Sequence, residues 1–192
     1  VQPVSGAGAR ALTPDDEYVR DFVWSTDSRT FAVQITETGD ADADQMYRQL
    51  RIIATDGTAA RTIPTEGKLG PMACSPDGAR LAFLGATSLN DPLAQSVFVV
   101  TPGSAPVNLT PDYEGSASAI GWQNERTIRF VAAEGTKTAL NTVPADGGAI
   151  TRVLGHGPEI FASVSFSRDG NTFAMPASLP SPMGRFNVTT PS

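Results

Sequence analysis

Few side chains in this 192-residue sequence have the type and spacing for chemistry. His156, in Gly155-His156-Gly157-Pro158, is the only histidine. A general base needs a nucleophile and an orienting acid beside it, and the neighbouring residues imply neither. His156 therefore reads as a loop residue, and one histidine excludes a histidine-rich metal site. Asp40, Asp42 and Asp44 alternate in Gly39-Asp40-Ala41-Asp42-Ala43-Asp44-Gln45. Alternate aspartates line calcium loops, but the glycine and distal glutamate of such a loop are absent. The expectation is a solvated loop between strands, with a rim loop against another domain as the second reading. Cys74 is the only cysteine, so no internal disulfide or cysteine metal cluster can form. Ser25, Ser75 and Ser167, with Asp77 and Asp169, stand in turn sequences and read as turn residues rather than nucleophiles. Trp24, Trp122 and Phe166, with Cys74 as a fourth version, recur at one position and read as packing between repeated units. Ligand stacking is the weaker alternative for these rings. No catalytic, cofactor-binding or metal-binding residue is assigned, and no cofactor is expected.

The elements that carry these residues repeat. One phrase occurs four times: Val23-Trp24-Ser25-Thr26-Asp27-Ser28-Arg29-Thr30-Phe31, Ala73-Cys74-Ser75-Pro76-Asp77-Gly78-Ala79-Arg80-Leu81, a degenerate Gly121-Trp122-Gln123-Asn124-Glu125-Arg126-Thr127-Ile128, and Ser165-Phe166-Ser167-Arg168-Asp169-Gly170-Asn171-Thr172-Phe173. Aligned on Trp24, Cys74, Trp122 and Phe166, the steps are 50, 48 and 44 residues. Between the copies lies a second phrase, a short apolar strand, a turn and a closing strand. Its copies run from Leu50 to Thr65, Val97 to Thr110 and Leu140 to Leu154. Arg10-Ala11-Leu12-Thr13 supplies a closing strand alone, and Phe186-Asn187-Val188-Thr189 an opening strand alone.

Each first phrase is a hairpin. Proline presets φ at the second turn position, aspartate bonds the turn backbone, and glycine accepts the left-handed conformation of a bulged loop. Ser28 and Arg126 stand at the glycine position in copies one and three, at an expected cost of roughly 1 kcal/mol each. The second strand alternates, Phe31, Val33 and Ile35 on one face and Ala32 and Gln34 on the other. Ala41 to Leu50 reads as a loop with about one helical turn. Four strands per unit at this period fit an all-β β-propeller of four-stranded antiparallel blades, about four of them, whose faces are buried only by stacking on neighbours. A sandwich also uses many short strands, but it does not require one turn phrase four times. The organisation expected is one domain or fragment over 1–192, with units near 1–13 (partial), 18–65, 69–110, 116–154 and 160–192 (partial).

The bulk numbers exclude several classes. A formal charge of −6 with scattered Lys and Arg offers no basic stripe for nucleic acid. No run of 18 apolar residues marks a membrane span. Val1-Gln2-Pro3-Val4 lacks the basic and apolar stretches of a secretory leader. The compartment is left open between periplasmic or secreted and cytoplasmic, in a bacterial setting.

The segment Cys74-Ser75-Pro76-Asp77-Gly78-Ala79-Arg80-Leu81-Ala82-Phe83 resembles the repeat Trp-Ser-Pro-Asp-Gly-Lys-x-Leu-Ala-Phe. That repeat marks TolB-like propellers and the N-terminal propellers of prolyl oligopeptidase-family serine peptidases, among them dipeptidyl and acylaminoacyl peptidases. Thr142-Val143-Pro144-Ala145-Asp146-Gly147-Gly148, Phe166 to Thr172 and Ala177 to Val188 are similar to the peptidase version. The resemblance implies a non-catalytic segment that gates or orients peptides for an α/β-hydrolase domain. No Gly-x-Ser-x-Gly elbow occurs in this sequence, so no catalytic residue carries over. A TolB-like scaffold for protein–protein contacts is the alternative, and a sugar-binding propeller a third. Family rings have more blades than the roughly four encoded here. Either Arg10 to Thr13 completes the blade begun at Ser163 in a small ring, or the blades form an open arc completed elsewhere, a homodimer included. The open arc is favoured. The expected partners are a hydrolase domain or another protein, with peptide as substrate, and neither nucleic acid nor membrane.

Overall fold

The structure, a computed structural model, describes residues 8–89, 94–167, 172–178 and 185–189. Among these residues sixteen strands form four antiparallel sheets in chain order. Blade 1 is β1 (Tyr18–Trp24), β2 (Thr30–Thr36), β3 (Gln49–Ala54) and β4 (Ala60–Ile63). Blade 2 is β5 (Leu69–Cys74), β6 (Leu81–Gly85), β7 (Ser96–Val100) and β8 (Val107–Asn108). Blade 3 is β9 (Ser116–Asn124), β10 (Thr127–Glu134), β11 (Lys137–Pro144) and β12 (Thr151–Gly155). In each of these blades every strand pairs with the next one in sequence.

Blade 4 contains β13 (Ile160–Phe161), β14 (Ser165–Phe166), β15 (Phe173–Ser178) and β16 (Arg185–Thr189). Both β13 and β14 pair with β15, on the edge opposite β16: Ile160 faces Ser178 and Phe166 faces Phe173. They are two halves of one inner strand. Blade 4 thus holds a first, second and third strand, and no fourth strand pairs with β16 among the described residues.

The blades stack because their middle strands are apolar on both faces. β6 is buried along its whole length. One face of each second strand reaches back to the preceding blade. Leu81 and Phe83 join Ala32, Leu50 and Ile63 of blade 1. Ile128 and Phe130 join Ala82, Leu84 and Val97 of blade 2. Phe173 and Met175 join Val131 and Leu140 of blade 3. Phe31 and Val33, the same positions in blade 1, cluster only with Ile35, Ile53 and Leu12. The expected alternation along β2 is realised, since Ala32 faces blade 2 and Phe31 the opposite way. The architecture is a partial β-propeller in which blades 1 to 4 follow one another as an arc.

Two local expectations change. Arg126 does not adopt a positive φ, whereas Ser28 does, at 58°. The third copy of the turn is one residue shorter, and Asn124 accepts from the Arg126 amide at 2.9 Å, so the left-handed position is gone. The strain expected of Arg126 does not arise. The segment after Asp40 forms a six-residue helix, α1 (Ala41–Met46), slightly longer than one turn. Asp40 caps it by accepting from the Asp42 amide at 3.0 Å.

Candidate functional site

Antiparallel connection sends alternate loops to opposite rims. One rim carries the tight turns between first and second strands and between third and fourth strands. The other carries the second-to-third connections, long in blades 1 and 2 and a two-residue turn in blade 3, and the blade-to-blade crossovers.

The turn rim is saturated with its own hydrogen bonds. Ser75 Oγ donates to Asp77 Oδ1 at 2.5 Å and accepts from the Arg80 amide at 2.9 Å. Ser25 does the same with Asp27 (2.6 Å) and the Thr30 amide (3.0 Å). Ser167 accepts from the Thr172 amide at 2.9 Å; Asp169 lies outside the described residues. The serine hydroxyl lowers the Asp77 and Asp27 carboxyls, and the turn amides add to it. Ser25 and Ser75 are buried, so they hold turns together, as their sequence context indicates.

Packing between blades uses the recurring aromatic position, with one exception. Trp122 is 7% exposed, donates Nε1–H to the Ala73 carbonyl at 2.9 Å, and lies under Arg80. Phe166 packs over Gly121, where a Cβ would meet the ring at 2.4 Å, and beside the Arg129 guanidinium. Cys74 is partly buried against the cluster joining blades 1 and 2. Burial, with Asp27 nearby, pushes its thiol up to about 11. Trp24 departs from the expectation of core packing: it is 45% exposed, because among the described residues no blade stacks on its side.

The loop rim gathers the larger charged networks, while the turn rim holds the Arg80–Asp146 pair at 2.7 Å. Glu134, at the end of β10, is the centre of one network. Its Oε1 accepts from Tyr113 Oη at 2.5 Å and Asn141 Nδ2 at 3.3 Å. Its Oε2 accepts from Arg152 Nη2 at 2.6 Å and contacts His156 Nε2. Burial works against the Glu134 charge, but the Tyr113, His156 and Asn141 bonds and the Arg152 charge outweigh it and hold the carboxyl at about 2. Burial and the same carboxylate raise the Tyr113 phenol. Lys137 Nζ donates to the His156 carbonyl at 2.8 Å, and His156 itself has φ 66°. Gly155 precedes it at φ 128°, where a Cβ would lie 2.5 Å from the Thr138 carbonyl oxygen. His156 is thus a loop residue as its sequence suggests, yet an acid does stand beside it. Every oxygen of that acid is already bonded, and no serine or cysteine belongs to the network. The arrangement fixes the crossover into blade 4 and presents polar groups; it does not assemble a nucleophile.

Blade 1 has a second network on this rim. Asp44 pairs with Arg20 Nε at 2.7 Å and Arg48 Nη2 at 3.2 Å. Arg48 also donates to Gln34 Oε1 at 3.2 Å, and Gln34 donates to the Gly70 carbonyl of blade 2 at 2.6 Å. Asp40, Asp42 and Asp44 therefore separate into a helix cap, a first-turn residue and an ion-pair member rather than converging on one point. Among the described residues no three His, Cys, Asp or Glu side chains group to hold a metal ion. Several clefts open along the described residues, two of them central here. One, of about 490 Å³, lies over the stacked Phe83 and Phe98 rings (5.3 Å apart) with Glu66 at its edge. The other, of about 370 Å³, is lined by Asp112, Tyr113, Glu114, Glu134 and Arg152. The clefts and the Glu134 network were not visible in the sequence, because they depend on register and on loops brought together from three blades.

The fold and its rims place this chain among β-propellers. No protein-family model matches the sequence, and no curated protein matches it. Solved structures do match. TolB from Acinetobacter baumannii superposes with a TM-score of 0.68 at 14% identity, over 98% of this chain and 45% of that one. A puromycin-hydrolyzing peptidase of Mycobacterium tuberculosis gives 0.70 at 20%, over 93% of this chain and 30% of that one. The β-propeller domain of the Trilobed protease from Pyrococcus furiosus gives 0.63 at 10%, over 92% and 52%. The chain spans 45% and 61% of the length of two TolB structures that it matches. The neighbours include TolB-like and peptidase propellers, in keeping with the repeat phrase, and at these identities the likeness is one of fold.

Proposed function

We propose that this chain is the non-catalytic propeller segment of a prolyl oligopeptidase-like serine peptidase, and that its loop rim gates or orients peptide for a hydrolase domain. The observation that carries this is the asymmetry of the rims. The two clefts and the Glu134 and Asp44 networks lie on the loop side, while the turn side holds self-bonded serine–aspartate turns and one ion pair between blades, Arg80–Asp146 at 2.7 Å. The Glu134 cleft offers carboxylates and Arg152 to the two ends of a peptide, and the Phe83–Phe98 cleft offers an apolar seat for a side chain. The segments Thr142–Gly148 and Phe166–Thr172, similar to the peptidase version of the repeat, support this reading beside a TolB-like scaffold for folded partners as the alternative. The test is fluorescence-polarisation titration with labelled hexapeptides. Binding that Arg152→Ala and Phe98→Ser weaken, and Asp56→Ala on the turn rim leaves alone, supports the reading. Binding insensitive to all three, or binding only to folded proteins, overturns it. The isolated chain is expected to leave peptidyl nitroanilides uncleaved.

A further inference from the structure

One row of side chains recurs in blades 1, 2 and 3, and the segment entering each blade covers it differently. Residues directly opposite one another in antiparallel strands share a face. The row is Val33, Arg51 and Thr62 in blade 1, Phe83, Phe98 and Asn108 in blade 2, and Phe130, Asn141 and Arg152 in blade 3. In blade 1, Glu17 reaches over the row and pairs with Arg51 at 2.6 Å. In blade 3, the Tyr113 ring stands edge-on to Phe130, with centroids 5.6 Å apart. Its hydroxyl accepts from Asn141 Nδ2 at 2.9 Å and donates to Glu134 Oε1. Blade 3 thus covers its row with a phenol from its own crossover.

Blade 2 does not. The crossover residues Pro64, Thr65 and Glu66 line the groove, but among the described residues none of their side chains bonds to the row. The result is the cleft of about 490 Å³. Phe83 is buried at its floor, and Phe98 beside it is half-buried. Asn108 Oδ1 accepts from the Thr110 amide at 2.9 Å, which leaves Nδ2 to donate into the cleft. Thr87, four residues after Phe83 as Glu134 is after Phe130, also lines it. Glu66 and Thr87 bond to no described residue. The Glu134 network is saturated by its own members, whereas these polar groups are uncommitted. An aromatic floor with a few uncommitted polar groups is the chemistry of a binding pocket. Backbone fixes the walls: Gly67, at φ 72°, lies so close to the Ser88 carbonyl that no Cβ fits, and the Ala86 amide donates to the Lys68 carbonyl at 2.9 Å. Among the described lining residues Glu66 carries the only charge, so the cleft accepts a hydrogen-bond donor and repels an anion.

We propose that the blade 2 cleft is a subsite for a tyrosine side chain of a bound peptide. Its ring packs on Phe98, and its hydroxyl accepts from Asn108 Nδ2 and donates to Glu66, as Tyr113 does with Asn141 and Glu134 in blade 3. The inference rests on the peptide-binding reading above and names the side chain that its apolar seat selects.

Fluorescence polarisation with labelled hexapeptides that differ at one position tests it. Tyrosine there should bind at least about tenfold tighter than alanine, the effect of an aromatic anchor. It should bind about three- to tenfold tighter than phenylalanine, the effect of one hydrogen bond. Phosphotyrosine, whose charge meets Glu66, should bind at least about tenfold more weakly than tyrosine. Asn108→Asp keeps the acceptor for the Thr110 amide and removes the donor, so it should abolish the preference for tyrosine over phenylalanine. Glu66→Gln should narrow the discrimination against phosphotyrosine. Hexapeptides that bind without preference among these residues overturn this inference and leave the peptide-binding reading in place. A tyrosine preference that survives Asn108→Asp unchanged does the same. Failure of every hexapeptide to bind removes the reading and this inference with it.

Discussion

Replacing Trp122 probes the contact on which blade stacking turns. The side chain is nearly sealed between blades 2 and 3. Trp122→Ala removes most of a buried aromatic and leaves a cavity, which costs about 3–5 kcal/mol. It also strips the Ala73 carbonyl of its 2.9 Å donor and Arg80 of the ring it covers. Trp122→Phe separates these effects: much of the ring stays while the N–H is lost, for about 1–2 kcal/mol. Trp24→Ala is the control. Half of that ring is in water, so it should cost only about 1–2 kcal/mol. Urea unfolding followed by circular dichroism gives each value from the midpoint shift, provided the slope is unchanged. A Trp122→Ala variant no less stable than Trp24→Ala would refute the reasoning, because equivalent sequence positions would then be equivalent in environment.

Three further outcomes follow from particular residues. Ser28→Gly should stabilise the chain by about 1 kcal/mol, since Ser28 holds a left-handed φ of 58°; unchanged urea midpoints would contradict the strain. Glu134 has a carboxyl held at about 2, below its ordinary 4.5, so its contribution is fully present above about pH 4.5 and is lost as pH falls towards 2. Glu134→Gln should therefore cost about 1–2 kcal/mol at neutral pH, and the gap to the wild type should narrow by pH 3; a constant gap in urea melts would contradict the network. Cys74, with its thiol raised from 9.0 to about 11, should react with a disulfide reagent at pH 8 roughly 100-fold more slowly in the folded chain than after unfolding, and equal rates would show the thiol to be solvated.

The blade plan was legible because it rests on local chemistry. Ser-Pro-Asp-Gly turns and alternating strands such as Phe31 to Ile35 announce hairpins, and their recurrence announces stacking. The serines proved to be turn residues for the reason their context suggested: Ser75 bonds both Asp77 and the Arg80 amide. Trp24 misled because its environment is set by what stacks outside blade 1, which no local pattern encodes. Arg126 misled because deletion of one turn residue changes the hairpin type. The Glu134 network was invisible for a different reason. Tyr113, Glu134, Asn141, Arg152 and His156 are spread over more than forty positions and meet only once the crossovers of blade 3 are folded.

Radial stacking is tested most directly by proton–proton contacts in solution. Nuclear Overhauser spectra should link the Trp122 indole Hε1 to Ala73 and Cys74 of blade 2, and the Phe166 ring to the Gly121 Hα of blade 3. Contacts from Trp122 to Phe31 or Val33, joining the outer face of blade 1 to blade 3 as two sheets packed face to face, would contradict the arc.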